Sequence, residues 1–258
     1  ILFGCGANGK STFLGVLQGV LGPYATSATS DMFMVANADE ERLATALIGR
    51  RLVVTMETRE GRKLNEAFVK RVTGGMDALR ARMLYHEGFT FRPTAHVWLA
   101  CNHKPQIDDT TESIWDRLRL LPFSVRIPPE ERDPELGDRI ISEEAQGVLA
   151  WIVAGALSWK TKRLTAPDVV MKATAAYRAS EDMVGEWIGA MCIEGPAIQQ
   201  RGSELYQSYA TWCQNEGNRP VGKREFAAAL EERGLDRVKR GGNIYWLGLR
   251  AKEGPEQA

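Results

Sequence analysis

The chain opens with the stretch ILFGCGANGKST at residues 1–12, where three apolar residues precede a glycine-rich loop. A helical run from about residue 12 to residue 21 follows, which gives the order strand, GxxxxGKS, helix. Glycines let the backbone turn so that successive N–H groups form an anion nest, and the positive end of the helix faces the same anion. The pattern predicts a loop that binds a nucleoside triphosphate. Its binding residues are Gly4, Gly6, Ala7, Asn8, Gly9, Lys10, Ser11 and Thr12.

Two side chains at the end of this loop have chemical roles in that interpretation. Lys10 supplies a point charge for the β- and γ-phosphates, and Ser11 supplies a hydroxyl group for a magnesium ion. ATP and Mg²⁺ are therefore the expected cofactors. The alternative, a glycine turn with a chance lysine, is disfavoured because the full pattern lies between a strand and a helix.

Length and composition limit the remaining possibilities. The 258 residues suffice for one large domain or two to three small ones. The 33 Lys and Arg residues balance 33 Asp and Glu residues, so any contact with nucleic acid must come from local patches. The longest apolar run, around residues 148–157, is about ten residues and too short to span a membrane.

The cysteines and the first residue bear on the setting of the protein. Four cysteines are scattered without metal-binding spacing and are interpreted as reduced thiols of a cytoplasmic protein. They are Cys5, Cys101, Cys192 and Cys213. The chain lacks an initiator methionine and opens in the middle of a strand, which suggests an excised fragment.

A second strand ends in an acid, as a nucleotide site requires. Residues 50–57 form an apolar run that ends at Glu57, which would lie at the strand's carboxyl end beside the phosphates. There Glu57 could hold the magnesium ion through water or polarise the attacking water. Thr58 follows where a second acid often stands, and Glu60 is the nearest spare carboxylate. The identity of the catalytic base stays open.

A basic β-hairpin is predicted after a short helix at 66–72. Residues 78–85 alternate polar and apolar side chains, residues 86–88 form a turn, and residues 89–93 return. Arg80 and Arg82 would share one face of this hairpin. Residues 59–92 contain eight Lys or Arg against four Asp or Glu. The alternative interpretation is an ordinary solvated hairpin face.

Two further segments place polar side chains near the phosphates. A buried strand at 95–102 ends at Asn102, which could contact the γ-phosphate or orient the water. The alternative for Asn102 is a turn residue next to His103. Residues 114–123 place two arginines beside an apolar strand, and one of them could reach the γ-phosphate of a neighbouring subunit.

Together these stretches resemble superfamily 3 helicases of the phage and plasmid primase-helicase kind, which are related to the poxvirus primase-helicase. The resemblance covers roughly residues 1–125. The matching stretches, in order, are GCGANGKST, RRLVVTMET, VKRVTGG with RARMLY, FTFRPTAHVWLACNHKP and IWDRLRLLPF. The resemblance implies an AAA+-like hexameric motor that uses ATP to thread DNA through a central pore.

The resemblance also implies roles for individual residues. Lys10 and Ser11 would be the Walker A pair, Glu57 the Walker B acid, Asn102 the sensor and Arg117 the arginine finger. The pore hairpin that grips DNA would carry Arg80, Arg82 and His86. The sequence departs from the family at Met76, an extra residue after the TGG triplet, and at Asp116, where an arginine usually stands.

The C-terminal half reads as helices followed by a small domain. Residues 134–163 and 169–191 have helical spacing, and the aromatic residues there, including Trp151 and Trp159, are predicted to lie in the core. The pair Gly195-Pro196 is interpreted as a boundary.

Beyond that boundary the pattern predicts a winged helix. Helices at 203–215 and 223–234 precede two strands, 235–240 and 243–249, joined by Gly241-Gly242. Residues 233–250 hold five Lys or Arg against one acid, a basic patch suited to DNA. The candidate DNA contacts are Lys223, Arg224, Lys239 and Arg240. The alternative is a protein–protein module of the same fold.

The sequence thus predicts an α/β protein with four parts. They are an AAA+-like P-loop NTPase core at 1–125, a helical region at 126–195, a winged-helix domain at 196–250 and a disordered tail at 251–258. The expected function is that of an ATP-dependent DNA helicase. The expected partners are DNA and further copies of the chain in a hexameric ring, and no membrane is expected. The expected location is the cytoplasm of a bacterial host, for a product of a phage, prophage or plasmid. A P-loop small-molecule kinase and a nucleotide-gated DNA-binding regulator are the alternatives.

Overall fold

A computed structural model provides the structure of the protein and describes residues 1–36, 38–56, 60–75, 77–109 and 111–252. The chain divides into two compact units, Ile1–Tyr177 and Arg178–Ala258. The sequence predicts a finer division, with boundaries at residues 125 and 195, and this division stays a prediction.

The first unit contains most of the helices and two sheets. Its α-helices are α1 (Lys10–Leu21), α2 (Glu40–Leu43), α3 (Glu66–Thr73), α4 (Glu112–Trp115), α5 (Leu136–Glu143), α6 (Ala145–Lys162) and α7 (Asp168–Glu181), the last of which continues past the unit boundary. Its strands are β1 (Leu2–Phe3), β2 (Ala25–Ala28), β3 (Leu52–Met56), β4 (Leu79–Ala81), β5 (Phe89–Phe91), β6 (His96–Cys101) and β7 (Leu121–Pro122).

Five of these strands form a parallel sheet in the order β2-β3-β6-β1-β7. The middle residues of β3, Val53, Val54 and Thr55, are fully buried, as expected for a strand covered on both faces. Ala100 of β6 pairs with Leu2 on one side and with Met56 on the other. The carboxyl ends of β1, β3 and β6 therefore meet at one edge. The predicted α/β class of the fold is confirmed.

The predicted basic hairpin is present but shorter than expected. β4 and β5 pair antiparallel with Arg80 opposite Thr90. Pairing ends at Ala81 because the N–H group of Arg82 donates to the carbonyl oxygen of Glu41, at 3.1 Å, instead of to the opposite strand. The N–H group of His86 donates to the carbonyl oxygen of Met83, so the turn lies at residues 83–86, before the predicted turn at 86–88.

The second unit is built around a three-stranded antiparallel sheet in the order β8-β10-β9. Its strands are β8 (Cys192–Arg201), β9 (Arg237–Arg240) and β10 (Asn243–Ala251), and its helices are α8 (Met183–Met191), α9 (Gly202–Asn215) and α10 (Lys223–Glu232). The predicted hairpin across Gly241-Gly242 is confirmed. Both glycines have positive φ, 55° and 80°, as a type I′ turn requires.

The sequence interpretation did not predict strand β8. Gly195 and Pro196, taken as a boundary, lie inside this strand. β8 is an edge strand, and its register against β10 shifts between Leu247 and Leu249, opposite this pair. Glycine and proline are tolerated at edges and bulges because no ladder hydrogen bond is required there.

The prediction that Trp151 and Trp159 lie in the core is wrong. Their exposed fractions are 62% and 54%, and α6 contributes no buried residue. Apolar residues lie all around this helix, so one neighbouring surface can cover only part of it; Ile152 packs against the cluster of Leu14 and Leu17.

The described part of the chain contains no single helix long and apolar enough to cross a membrane. The segments Pro129–Glu143 and Ala145–Lys162 reach that length and composition only as a pair, which is bent by 77°.

Candidate functional site

The glycine-rich loop connects β1 to α1 and has an unusual backbone. Gly6, Ala7 and Gly9 have φ values of 87°, 48° and 82°, in the left-handed region that favours glycine. A Cβ atom at Gly4 would lie 2.2 Å from the carbonyl oxygen of Phe123 and 2.3 Å from Nδ2 of Asn8. The loop therefore passes so close to the segment after β7 that no side chain fits at position 4.

Lys10 is the first residue of α1, and its charged ammonium group makes three hydrogen bonds. Its Nζ donates to the carbonyl oxygen of Gly4 at 2.6 Å, to Oδ1 of Asn8 at 3.1 Å and to Oδ1 of Asn102 at 3.3 Å. Only 6% of Lys10 is exposed. Because these three acceptors are neutral, they position the ammonium group without cancelling its charge.

Asn102 follows β6, and the structure brings it to the loop. Both Lys10 and Asn102 stand at the carboxyl edge of the parallel sheet, 92 positions apart in sequence. Ligands of open α/β sheets bind at this edge. The pairing of the two residues follows from the neighbouring positions of β1 and β6.

Asn8 has a second contact that the sequence interpretation missed. Its Nδ2 donates to the carbonyl oxygen of Phe123 at 2.9 Å, and the N–H group of Ile127 donates to the carbonyl oxygen of Ala7 at 2.7 Å. Asn8 thus joins Lys10 to the segment after β7. No local sequence pattern indicates a bond across 115 positions.

A cavity of about 260 Å³ lies over the loop. It is lined by Gly6, Ala7, Asn8, Gly9, Lys10, Ser11, Thr12, Met56, Ala100, Cys101 and Asn102. Every predicted loop residue except Gly4 contributes to this lining. The cavity is therefore formed by the loop together with the ends of β3 and β6.

The acid predicted for this site is Glu57. Glu57 follows Met56 in the sequence and lies outside the described residues, as do Thr58 and Met76. Within the described ranges, no group of three or more His, Cys, Asp or Glu could hold a metal ion. Ser11 lines the cavity and fits a magnesium ion, since Mg²⁺ bound to a nucleotide takes few protein ligands and several waters.

The two arginines after α4, Arg117 and Arg119, both donate hydrogen bonds to backbone carbonyl groups nearby in the sequence. Arg117 is exposed, donates to the carbonyl oxygen of Ser113 and does not line the cavity. Arg119 is half-buried and donates through Nη1 to the carbonyl oxygens of Trp115, Asp116 and Leu118. In the segment 114–123, the first two residues belong to α4 and the predicted apolar strand is present as β7, Leu121–Pro122.

The hairpin arginines are paired with acids at the start of α2. Nε of Arg80 lies 3.3 Å from Oε1 of Glu41, and Nη2 of Arg82 lies 3.1 Å from Oδ2 of Asp39. The N–H group of Arg42 and the guanidinium group of Arg82 hold the pKa of Asp39 below its usual value. Arg80, Arg82 and Asp39 are exposed, Glu41 is half-buried, and His86 in the turn is exposed.

The four predicted DNA contacts of the second unit are exposed. Lys223 and Arg224 begin α10, and Nζ of Lys223 lies 5.5 Å from the ring centroid of Tyr206. Lys239 and Arg240 lie on β9, where Nη1 of Arg240 donates to Oε1 of Gln199 at 3.2 Å. The cations therefore stand on a helix start and a strand of the same unit.

Comparisons with known proteins give distant relatives. Residues 2–117 match DUF5906, a family of unknown function. The chain is 27% identical over 234 residues to "Putative helicase L207/L206" of Acanthamoeba polyphaga mimivirus, covering 82% of this chain and 24% of that protein. It is 24% identical over 232 residues to "Putative helicase 022R" of Frog virus 3 (isolate Goorha), covering 81% and 23%.

The chain is thus similar to proteins of large DNA viruses that are named as helicases, and it spans about a quarter of their length. Among solved structures, "The A form apo structure of NrS-1 C terminal region-CTR" aligns with a TM-score of 0.45 and 11% identity, covering 96% of this chain and 66% of that one.

Proposed function

We propose that this chain is the motor part of an ATP-dependent DNA helicase of superfamily 3, of the replicative phage or plasmid primase-helicase type. In this proposal the first unit contains an AAA+-like P-loop core and the second unit a winged helix. The observation that carries it is the buried Lys10 ammonium group, held beside Asn102 in a loop cavity at the carboxyl edge of the parallel sheet. The names of the viral relatives point the same way.

Phosphoryl transfer needs positioned charge rather than covalent chemistry from the protein. Lys10 would leave its neutral acceptors to meet the β- and γ-phosphates of ATP, and the exposed Ser11 hydroxyl would join the ligands of Mg²⁺. Asn102, released from Lys10, could then orient the attacking water. Glu57 would act on the same water or on the metal ion.

Assembly of six copies into a ring, as in the superfamily 3 helicases that the sequence resembles, would complete the site. The side chain of Arg117 is exposed and donates to the carbonyl oxygen of Ser113 in α4, a neutral acceptor that leaves its charge available for a neighbour's γ-phosphate. A finger supplied by the next subunit makes hydrolysis depend on that subunit. Turnover could then pass around the ring.

The proposed DNA contacts lie on two surfaces. Arg80, Arg82 and His86 of the hairpin would meet single-stranded DNA in the pore, whereas Lys223, Arg224, Lys239 and Arg240 of the second unit would meet duplex. Contacts of a motor should go mainly to phosphates and be independent of sequence. The setting that we propose is the cytoplasm of a host cell in which foreign DNA replicates.

The test is the variant Lys10→Ala in the 258-residue chain. We expect ATP hydrolysis and unwinding to fall at least about 10²-fold, because the transferred phosphoryl group loses its nearest cation. Lys160→Ala, which removes an exposed lysine from the last turn of α6, is the matched control and should change neither.

Three outcomes would contradict the proposal. Unwinding that survives Lys10→Ala excludes the motor. Hydrolysis by the wild type that DNA does not stimulate favours a small-molecule kinase, which transfers phosphate to another acceptor. ATP-dependent DNA binding without turnover favours a regulator.

A further inference from the structure

The tip of the hairpin has a feature that the proposed arginine contacts do not use. Residues 83–86 form a turn closed by the N–H group of His86, which donates to the carbonyl oxygen of Met83 at 3.1 Å. Tyr85 is the third residue of this turn, with φ of 63°. Turns with positive φ at that position favour glycine, because a Cβ atom is strained there.

Tyr85 is also the most exposed aromatic side chain of the described residues. Its exposed fraction is 96%, and the adjacent Met83 and Leu84 are exposed as well. A large ring gains no packing energy in such a place, yet the backbone beneath it adopts a conformation that glycine would take more easily. Backbone strain of this kind concentrates at functional sites.

The surroundings of the ring indicate what it could bind. Arg80 and Arg82 lie at the base of the same hairpin, within a segment 59–92 that has eight Lys or Arg against four Asp or Glu. An aromatic face beside cations is the combination that proteins use for single strands, where bases stack on rings and phosphates meet charges. In a duplex the faces of the bases are covered by their neighbours.

We propose that Tyr85 stacks on an unpaired nucleobase of the DNA strand held by the hairpin. This assignment rests on the proposed DNA-motor function. The glycine-like turn presents the ring away from the hairpin, and the arginines set the strand's position through its phosphates. The contact does not select a sequence, because every base has a face that can stack.

The test compares Tyr85→Ala and Tyr85→Phe in binding to a labelled oligo(dT), with affinity measured at several salt concentrations. Loss of the ring should weaken binding about 5- to 100-fold, whereas Phe should retain the affinity within about twofold. The dependence on salt should stay unchanged, since no ion pair with phosphate is lost. Tyr24→Ala is the control, because Tyr24 is an exposed tyrosine outside the hairpin.

Each contrary result has a distinct meaning. If the wild type binds oligo(dT) and Tyr85→Ala binds equally well, the stacking assignment is wrong and the helicase proposal stands. If the wild type hydrolyses ATP but binds no single strand, both fail. If Tyr85→Ala leaves DNA binding intact and lowers the mass of the assembly, the tip packs on a second copy of the chain instead.

Discussion

The glycine-rich loop and the hairpin both present cations, but they hold them in opposite ways. In the loop, Lys10 is buried and bound to three neutral oxygen atoms whose positions are fixed by the backbone. On the hairpin, Arg80 and Arg82 are exposed and paired with carboxylates. Buried polar contacts are costly to disturb, whereas an exposed ion pair contributes about 0–1 kcal/mol. The loop is thus suited to one fixed ligand geometry and the hairpin to exchangeable partners.

The largest effect on stability and ATP binding should come from adding a side chain at Gly4 of the loop. Gly4→Ala places a methyl group against the carbonyl oxygen of Phe123 and the amide of Asn8, so we expect a loss of about 2–3 kcal/mol in unfolding free energy, together with loss of ATP binding. Urea denaturation and nucleotide titration measure the two effects.

Gly15→Ala is the matched control for that variant. A Cβ atom at Gly15 meets nothing within 4 Å, and alanine in the interior of α1 should stabilise the protein by up to about 1 kcal/mol. Equal behaviour of the two variants would show that the close approach to Phe123 does not constrain the loop.

Removing the hairpin charges should have an intermediate effect, confined to DNA. The double change Arg80→Ala and Arg82→Ala should lower the slope of log affinity against log salt by about 1.4, or about 0.7 for each phosphate contact with a single strand. Basal ATP hydrolysis should persist and its stimulation by DNA should be lost. Replacing Lys160 and Lys162 with alanine removes the same charge elsewhere, and an equal slope change there would refute the hairpin contact.

The smallest effect should come from the acids that hold the hairpin. Asp39→Asn with Glu41→Gln removes both carboxylates while asparagine still caps α2, and we expect single-strand affinity to rise about two- to fivefold. Glu40→Gln is the control, because Glu40 pairs with Arg71. A fall in affinity would mean that the ion pairs hold the hairpin in its binding shape instead of competing with DNA.

The features of this protein that could be predicted from its sequence are those determined by local sequence patterns. A glycine loop between a strand and a helix identified the surroundings of Lys10. The carboxyl ends of parallel strands meet at one edge of a sheet. Asn102 could therefore be expected near the phosphates although it lies 92 positions from Lys10 in the sequence. The hairpin across Gly241-Gly242 followed from turn chemistry.

The parts that sequence reasoning missed depend on which surfaces the fold brings together. Pro196 argues against a strand unless the strand is known to lie at an edge with a bulge. Trp151 is a residue type common in cores, but it stays 62% exposed because apolar residues lie all around α6 and its neighbours cover only part of that helix. The pairing of Asp39 with Arg82 joins two segments 43 positions apart, and no local pattern indicates a contact across that distance.

The attachment of the loop to residues 121–127 has a practical consequence for trimming this protein. The family match ends at residue 117, yet Phe3, Ala7 and Asn8 all take hydrogen bonds from or give them to the segment that follows. A shortened chain cut at the limit of the match would expose an unpaired edge at β1 and leave Asn8 without its carbonyl partner. The smallest portion able to keep the loop's shape therefore extends at least to Ile127.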